Sequence, residues 1–211
     1  MKNVVVLVSG NGSNLQAIID KCHGKHGINL VAVIANKENA YGLIRAKEAD
    51  IDTLIVPSKG ITKRDEYDGK LMIAIDVYQP DLIILAGFMR ILTPEFVRHY
   101  HGKMINIHPS LLPKYSGLNT HQRAIDAGDN EHGASIHFVT EELDSGPVII
   151  QAKVPIFIED DADTIFERVQ EQERSICPLI VKWFCLDRLK MKNGKALLDN
   201  QILSESGYAA D

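Results

Sequence analysis

Five short runs of apolar, largely β-branched residues alternate with helix-like segments through the first half of the chain. Each run is apolar at consecutive positions rather than at every second one, which is typical of strands covered on both faces. Strands of this kind, separated by helices, predict a parallel sheet with helices on both sides. The chain is therefore predicted to form an open, doubly wound α/β fold with a mostly parallel, Rossmann-like sheet. The predicted strands are Val4–Val8, Leu30–Ala35, Thr53–Pro57, Leu82–Ala86 and Met104–His108.

The second half of the chain has a different pattern. Two further predicted strands, Ala134–Val139 and Pro147–Ile156, are joined by a turn-forming segment and are expected to pair antiparallel at the sheet edge. A long C-terminal helix is predicted from Ala162 to about Leu189, with an interruption at Pro178. Since neither a repeat nor a linker is visible, residues 1–211 are predicted to form one domain.

Composition and charge exclude several classes of protein. The 211 residues are 45% hydrophobic and 24% charged, which is ordinary for a globular chain and excludes disorder as its main state. The net charge of −5 disfavours a nucleic-acid partner, which would require a basic surface. The chain shows neither a signal peptide nor an apolar run long enough to cross a bilayer, and its three cysteines have no paired spacing. We therefore expect a cytoplasmic protein without a membrane partner, and whether it forms a homodimer is left open.

A glycine-rich turn, Ser9–Asn14, connects the first strand to the first helix, which is expected to be N-capped by Ser13 or Asn14. Such a turn brings backbone N–H groups to an anion at the helix N-terminus. The dinucleotide fingerprint requires a third glycine where this chain has Leu15, and no Walker lysine follows. One phosphate group therefore fits better than a pyrophosphate, and a tight turn without a ligand is the alternative.

Asn106 and His108 lie two residues apart at the end of a predicted strand, so their side chains point to the same face. Ligands of open α/β sheets bind beyond the carboxyl ends of the strands. An amide donor beside an imidazole can stabilise an oxyanion that develops on a carbonyl group. Asp144 lies in a distant turn, and a carboxylate near His108 would favour the protonated imidazole.

Other candidate positions are weaker when taken alone. The segment Gly87–Arg90 follows another apolar strand and should face the same crevice, although it could equally be a plain connection. Gln170 and Glu173 share one face of the long helix, where a carboxylate could accept from a sugar diol or simply face solvent. The other histidines lack metal-ligand spacing, so no metal is expected, and no GxSxG motif indicates a hydrolase.

Several segments together closely resemble the glycinamide ribonucleotide formyltransferases. The segments are SGNGSNLQAII, ILAGFMRIL, INIHPSLLPKYSG, HGASIHFVTEELDSGPVIIQAKVPI and GYAAD. The resemblance extends from about Val4 to Tyr208. The segments IHPSLLP and DSGP are shared by the wider family of 10-formyltetrahydrofolate enzymes, whereas GNGSN and the chain length indicate the purine-biosynthetic branch.

The resemblance implies a reaction and a role for each matching residue. The amine of phosphoribosylglycinamide would attack the formyl carbon of 10-formyltetrahydrofolate, a co-substrate, and no metal would take part. Asn106 and protonated His108 would stabilise the oxyanion, and Asp144 would keep His108 charged. The implied ribonucleotide contacts are Gly12, Ser13, Asn14, Gln170 and Glu173. The implied folate contacts are Arg64, Met89, Arg90, Ile91, Leu92, Asn106, Thr140, Glu141, Glu142, Leu143 and Asp144.

Two positions depart from the pattern, and three alternative functions remain. Ser116 and Asn119 stand where some family members carry proline and histidine, which puts an auxiliary histidine at 119 in doubt. Methionyl-tRNA formyltransferases share the fold and the three catalytic residues but normally carry an extra C-terminal RNA-binding domain. Formyltetrahydrofolate hydrolases are further relatives, which resemble this chain preceded by a regulatory domain. A non-catalytic nucleotide- or folate-binding module would not require Asn106, His108 and Asp144 together.

Overall fold

The computed structural model describes residues 1–209, in which two sheets and six helices form. The strands are β1 (Lys2–Val8), β2 (Ile28–Ala35), β3 (Asp52–Ile55), β4 (Leu82–Leu85), β5 (Met104–His108), β6 (Glu131–Phe138), β7 (Val148–Pro155), β8 (Leu189–Lys192), β9 (Lys195–Leu198) and β10 (Gln201–Ile202). The helices are α1 (Ser13–Cys22), α2 (Gly42–Glu48), α3 (Arg64–Asp76), α4 (Pro94–His99), α5 (Thr120–Asp126) and α6 (Ala162–Cys185). The predicted single domain extends over residues 210 and 211, which lie outside the described part.

The main sheet has seven strands in the order β3-β2-β1-β4-β5-β6-β7. The first five strands run parallel, and β6 and β7 add an antiparallel pair at one edge. The predicted fold class is therefore confirmed. The strand order reverses between β1 and β4, so the loops that follow these two strands diverge and leave a crevice, which is where open α/β sheets bind ligands.

The two faces of the sheet carry separate hydrophobic cores, because alternate residues of each strand point to opposite sides. Val4, Val6 and Val8 of β1 pack with α1, α2 and α6 on one face. Val5 and Leu7 pack with α3 and α4 on the other. Burial on both faces explains why Val4–Val8 is apolar at consecutive positions.

The predicted ends of two helices are wrong. The N-cap of α1 is Gly12, with φ 76°, rather than Ser13 or Asn14. Helix α6 continues through Pro178, which is buried, and ends at Cys185 instead of reaching Leu189. The chain leaves the helix at Asp187, whose φ is 59°, and Leu189 begins β8. Packing of the apolar face of α6 on the sheet outweighs the one backbone hydrogen bond that Pro178 cannot make.

A small antiparallel sheet, β8 to β10, follows α6 and was not predicted. After it, the backbone N–H of Tyr208 donates to the carbonyl of Ile149 in β7 at 2.7 Å, and the Tyr208 ring packs edge-on against Trp183. The end of the described chain is thereby attached to both β7 and α6. Within residues 1–209, no helix has the length and apolar composition required to span a bilayer.

Candidate active site

A cleft of about 480 Å³ opens beyond the carboxyl ends of β4 and β5. Its walls come from the segment that follows β4, from β5 and the loop after it, and from the turn between β6 and β7. Five large apolar side chains around the cleft remain between 45% and 73% exposed, and such a set marks a ligand site more often than a free surface. They are Met89, Ile91, Leu118, Leu143 and Phe166.

The cleft brings Asn106, His108 and Asp144 together, although Asp144 is distant in sequence. Asn106 and His108 both line it because they are two positions apart on β5. Asp144 reaches it from a turn in which its own φ is 51°. Gly146 allows this turn, since a Cβ atom there would overlap the carbonyl of Phe138.

The two ring nitrogens of His108 face different oxygen atoms. Nε2 lies 2.9 Å from the carbonyl oxygen of Tyr115, and Nδ1 lies 3.6 Å from Oδ2 of Asp144. A carbonyl only accepts hydrogen bonds, so Nε2 must carry a proton in either charge state. Neutral His108 therefore presents a lone pair at Nδ1, whereas the imidazolium presents a second donor beside the Asp144 carboxylate.

Asp144 also holds the loop that follows β5. Its Oδ2 atom accepts from the backbone N–H of Gly117 at 2.9 Å. Its side chain is 7% exposed, and its Oδ1 atom lies 3.9 Å from Nε2 of His137. The carboxylate is thus surrounded by donors and imidazole rings at the back of the cleft.

His137 is a further polar residue of the site that sequence reasoning missed. It pairs with Asn106 across β5 and β6. Its Nδ1 atom donates to the carbonyl of Phe138 at 2.9 Å, so Nε2 is free to accept from Nδ2 of Asn106 at 3.1 Å. Burial lowers the pKa of His137 and keeps the ring neutral. The only sequence signal was a polar residue inside an apolar strand, and the cross-strand register was required to interpret it.

The segment after β4 forms one wall of the cleft largely through its backbone. Gly87 has φ 75°, which turns the chain sharply at the end of the strand. The backbone N–H of Met89 donates to Oγ of Ser9 at 2.8 Å and so fixes this segment against the end of β1. The Arg90 guanidinium stacks 4.0 Å above the ring of Tyr67 in α3.

Most of the predicted folate contacts line this cleft, but Arg64 does not. Met89 to Leu92 and Thr140 to Leu143 all lie on its walls. Arg64 is exposed at the first position of α3 and is not among the lining residues. The roles of these residues in binding stay predictions.

The predicted ribonucleotide contacts meet where the N-terminus of α1 approaches α6. Asn14 donates from Nδ2 to Oε2 of Glu173 at 2.8 Å, and both side chains are buried. Burial raises the pKa of Glu173. Gln170, one turn earlier, accepts from Arg174 at 3.2 Å. Phe166, which lines the cleft, has helical spacing with Gln170 and Glu173 that places all three on one face of α6.

Gly12 makes possible the close approach of the start of α1 to the start of α2. A Cβ atom at Gly12 would lie 2.8 Å from Cα of Gly42, and the positive φ also favours glycine. Oδ1 of Asn14 is buried and has no hydrogen-bond partner within the described residues. An unpaired buried acceptor next to helical N–H groups is suited to a polar ligand at this place.

The described residues contain no group of three or more His, Cys, Asp or Glu side chains arranged to hold a metal ion.

Comparison with known proteins identifies the family of this chain. Residues 2–181 match the formyl transferase family. The chain is 56% identical over 210 residues to phosphoribosylglycinamide formyltransferase of Escherichia coli K12, with 99% of each chain covered. It is 39% identical over 194 residues to the human trifunctional purine biosynthetic protein adenosine-3, covering 91% of this chain and 19% of that protein.

A solved structure of phosphoribosylglycinamide formyltransferase from Coxiella burnetii superposes with a TM-score of 0.92 at 50% identity, covering 98% of both chains. Glycinamide ribonucleotide transformylase 1 from Symbiobacterium toebii superposes with a TM-score of 0.89 at 35% identity, covering 94% of both. The chain therefore belongs to the formyl transferase family, in the branch of the phosphoribosylglycinamide formyltransferases.

Proposed function

We propose that this chain transfers the formyl group of 10-formyltetrahydrofolate to the amine of phosphoribosylglycinamide in purine biosynthesis. The products are formylglycinamide ribonucleotide and tetrahydrofolate. The observation that carries the proposal is the single cleft in which Asn106, His108 and Asp144 meet. The similarity to full-length relatives that bear this activity in their names supports it.

The two substrates occupy different parts of the site. The folate lies in the cleft, where apolar side chains contact its flat ring and backbone groups of the segment after β4 bind its polar edge. The ribonucleotide lies at the joint of α1 and α6, with its phosphate at the Gly12–Asn14 turn and its ribose hydroxyls at Glu173. Phe166 lines the cleft and lies on the same face of α6 as Gln170, so the two binding regions are neighbours along this helix. The amine of the ribonucleotide thereby meets the formyl group beside β5.

Asn106 stabilises the oxyanion that forms when the amine adds to the formyl carbon. One N–H of its amide is committed to His137, which fixes the side chain, and the second N–H is available to a ligand in the cleft that Asn106 lines. A donor that is already oriented costs no reorganisation as the negative charge develops. A new C–N bond forms in this step, and the formyl oxygen takes the negative charge.

His108 moves the proton through Nδ1. In the neutral ring this atom carries a lone pair and accepts the proton that the attacking amine loses, either directly or through a water beside Asp144. The resulting imidazolium is stabilised by the carboxylate 3.6 Å away and is a second donor to the oxyanion. When the bond to the folate nitrogen breaks, the imidazolium returns the proton to that nitrogen.

An assay with alternative acceptors tests the proposed reaction. The purified chain is given 10-formyltetrahydrofolate with phosphoribosylglycinamide, with methionyl initiator tRNA, or with neither, and formation of tetrahydrofolate is followed. The proposal predicts turnover only with the ribonucleotide. Turnover only with tRNA, turnover without an acceptor, or no turnover in any mixture would overturn it in favour of the tRNA enzyme, the hydrolase or the binding module respectively.

A further inference from the structure

The catalytic pair, His108 and Asp144, is hydrogen-bonded to a short loop segment after β5, Tyr115–Leu118. His108 donates to the carbonyl of Tyr115, and Asp144 accepts from the N–H of Gly117. Two peptide groups of one segment therefore determine how the two catalytic side chains are oriented. In particular, the Tyr115 carbonyl keeps the proton of neutral His108 on Nε2, so that Nδ1, beside the Asp144 carboxylate, is the atom that takes part in the reaction.

This segment needs external support to keep its conformation. Tyr115 has φ 57° and Gly117 has φ 80°, both in the left-handed region. For a bulky residue such as Tyr115 this region is unfavourable and persists only when its surroundings impose it. The segment lies in a loop, where no sheet or helix hydrogen bonds restrain it.

Arg123 of α5 binds two of the three carbonyls of the segment that the catalytic pair does not bind. Its Nη1 atom donates to Ser116 at 2.7 Å and to Leu118 at 3.3 Å. Its guanidinium also lies 5.2 Å from the centre of the Tyr115 ring. These contacts alternate along the segment with those of His108 and Asp144. Charged donors form the stronger kind of hydrogen bond, and the planar guanidinium also stacks on an aromatic ring.

We propose that Arg123 is a positioning residue that holds Tyr115–Leu118 so that His108 keeps its Nε2–H tautomer and directs Nδ1 at the reacting atoms. This role rests on the proposed formyl transfer. A guanidinium that only stabilised the loop against unfolding would leave the tautomer of His108 unchanged. The tautomer therefore distinguishes a positioning role from a purely structural one.

The test combines kinetics with a spectrum of His108. The variants are Arg123→Ala and Arg123→Lys, and the matched control is Gln122→Ala, an exposed neighbour on α5 that contacts Asp126. The ¹⁵N signals of histidine rings distinguish protonation at Nδ1 from protonation at Nε2, and the signals of His108 are assigned by their loss in His108→Gln. Thermal unfolding of each variant is measured alongside.

For Arg123→Ala we expect kcat to fall about tenfold with KM for the ribonucleotide unchanged, the effect of losing one charge-assisted contact. In the neutral ring, the His108 signals should change from a single Nε2–H form to a mixture of tautomers. The kcat and the tautomer ratio of Arg123→Lys should lie between those of Arg123→Ala and the wild type, because an ammonium binds one carbonyl at a time. Gln122→Ala should have the kcat and tautomer of the wild type. If Arg123→Ala fails to fold, the same measurements and the same criteria apply to Arg123→Lys.

A wild-type kcat, or an unchanged His108 tautomer, in a folded Arg123 variant would overturn the positioning role. Failure of the proposed function has a different signature, since the wild-type chain itself would then show no transfer to the ribonucleotide.

Discussion

In the proposed mechanism, proton transfer depends on Nδ1 of His108, because Nε2 of the same ring is committed to the Tyr115 carbonyl. Asp144 lies on the Nδ1 side and is itself held by the Gly117 N–H. His108 and Asp144 should therefore act as a pair, each ineffective without the other. This dependence is tested directly by alanine or amide substitutions that leave the fold intact.

Removing either member of the pair should nearly abolish turnover. For His108→Ala and Asp144→Asn we expect kcat to fall by at least ~100-fold, the typical cost of losing a donor or its charge partner at such a site. Steady-state kinetics with both substrates measures the loss, and circular dichroism checks the fold. His99→Ala, which removes an exposed histidine elsewhere, should retain full activity. Near-normal turnover in either cleft variant would remove the role assigned to that residue.

His137 should matter because of the acceptor that it offers to Asn106. His137→Leu fills the buried space but leaves the amide of Asn106 without its anchor, and we expect kcat to fall about tenfold. His137→Gln, whose side-chain carbonyl can accept the same hydrogen bond, should recover part of the loss. Both values come from steady-state kinetics on folded protein. A His137→Leu enzyme with wild-type kcat would show that Asn106 needs no anchor.

Acid should destabilise the protein partly through His132, which is 1% exposed. Burial lowers its pKa to about 4. The unfolded chain has a histidine pKa of ~6.5, so between that pH and about 4 the unfolded state binds the extra proton. The free energy of unfolding should thus fall as the pH decreases through this window, by about 3 kcal/mol at its lower end.

Urea unfolding at a series of pH values measures this effect in the wild type and in His132→Phe. Since burial also lowers the pKa of His121 and His137, the difference between the two proteins isolates His132. The phenylalanine variant should have the shallower acid dependence. Parallel curves for the two proteins would show that His132 does not titrate on unfolding.

At the scale of elements, the residues where α1 meets α6 are expected to affect substrate binding rather than the chemical step. The Asn14–Glu173 hydrogen bond connects two helices that are 159 positions apart in sequence. Gly12 permits the approach of α1 to Gly42 and sets the direction of the first helical N–H groups. Asn14 and Glu173 are not among the residues that line the cleft with Asn106, His108 and Asp144, so we expect their side chains to influence the affinity for one substrate only.

Substitutions at this joint should raise KM for the ribonucleotide and leave kcat and the KM for folate almost unchanged. We expect Asn14→Ala and Glu173→Gln each to raise it about tenfold, the scale of one lost charge-assisted hydrogen bond. Glu171→Gln, an exposed carboxylate on the same helix, is the matched control. The expectation fails if kcat falls while KM for the ribonucleotide stays constant.

The bounds of helices and strands were predictable from the sequence where the hydrophobic pattern determines them. They were not predictable where turns and tertiary contacts determine them. The bounds of β5 were predicted correctly, because a buried strand between polar loops is unambiguous. The cap of α1 was not predicted correctly, because it depends on two tertiary contacts. These are the close approach of Gly12 to Gly42 and the hydrogen bond from Asn14 to Glu173. The end of α6 was missed because its interruption by Pro178 is overridden by packing.

At the scale of the whole molecule, the site lies where the strand order reverses and next to where the sheet changes from parallel to antiparallel. The parallel part was predictable from apolar runs, and the grouping of Asn106, His108 and Asp144 at one site from their chemical types and from resemblance, while their catalytic roles stay predictions. The small sheet β8–β10 was not predictable, since its four- and two-residue strands have no periodicity long enough to recognise. His137 and Arg123 could not be recognised because their partners are set by strand register and loop conformation.

The most direct test of the central claim follows a labelled formyl group in a single turnover. Enzyme in excess over 10-([¹³C]formyl)tetrahydrofolate is mixed with phosphoribosylglycinamide and quenched at intervals, and the label is located by mass spectrometry. We predict that the wild-type chain transfers the label to the ribonucleotide, and that Asp144→Asn binds both substrates but transfers it at least ~100-fold more slowly. Label released as formate, or transfer by Asp144→Asn at the wild-type rate, would contradict the account.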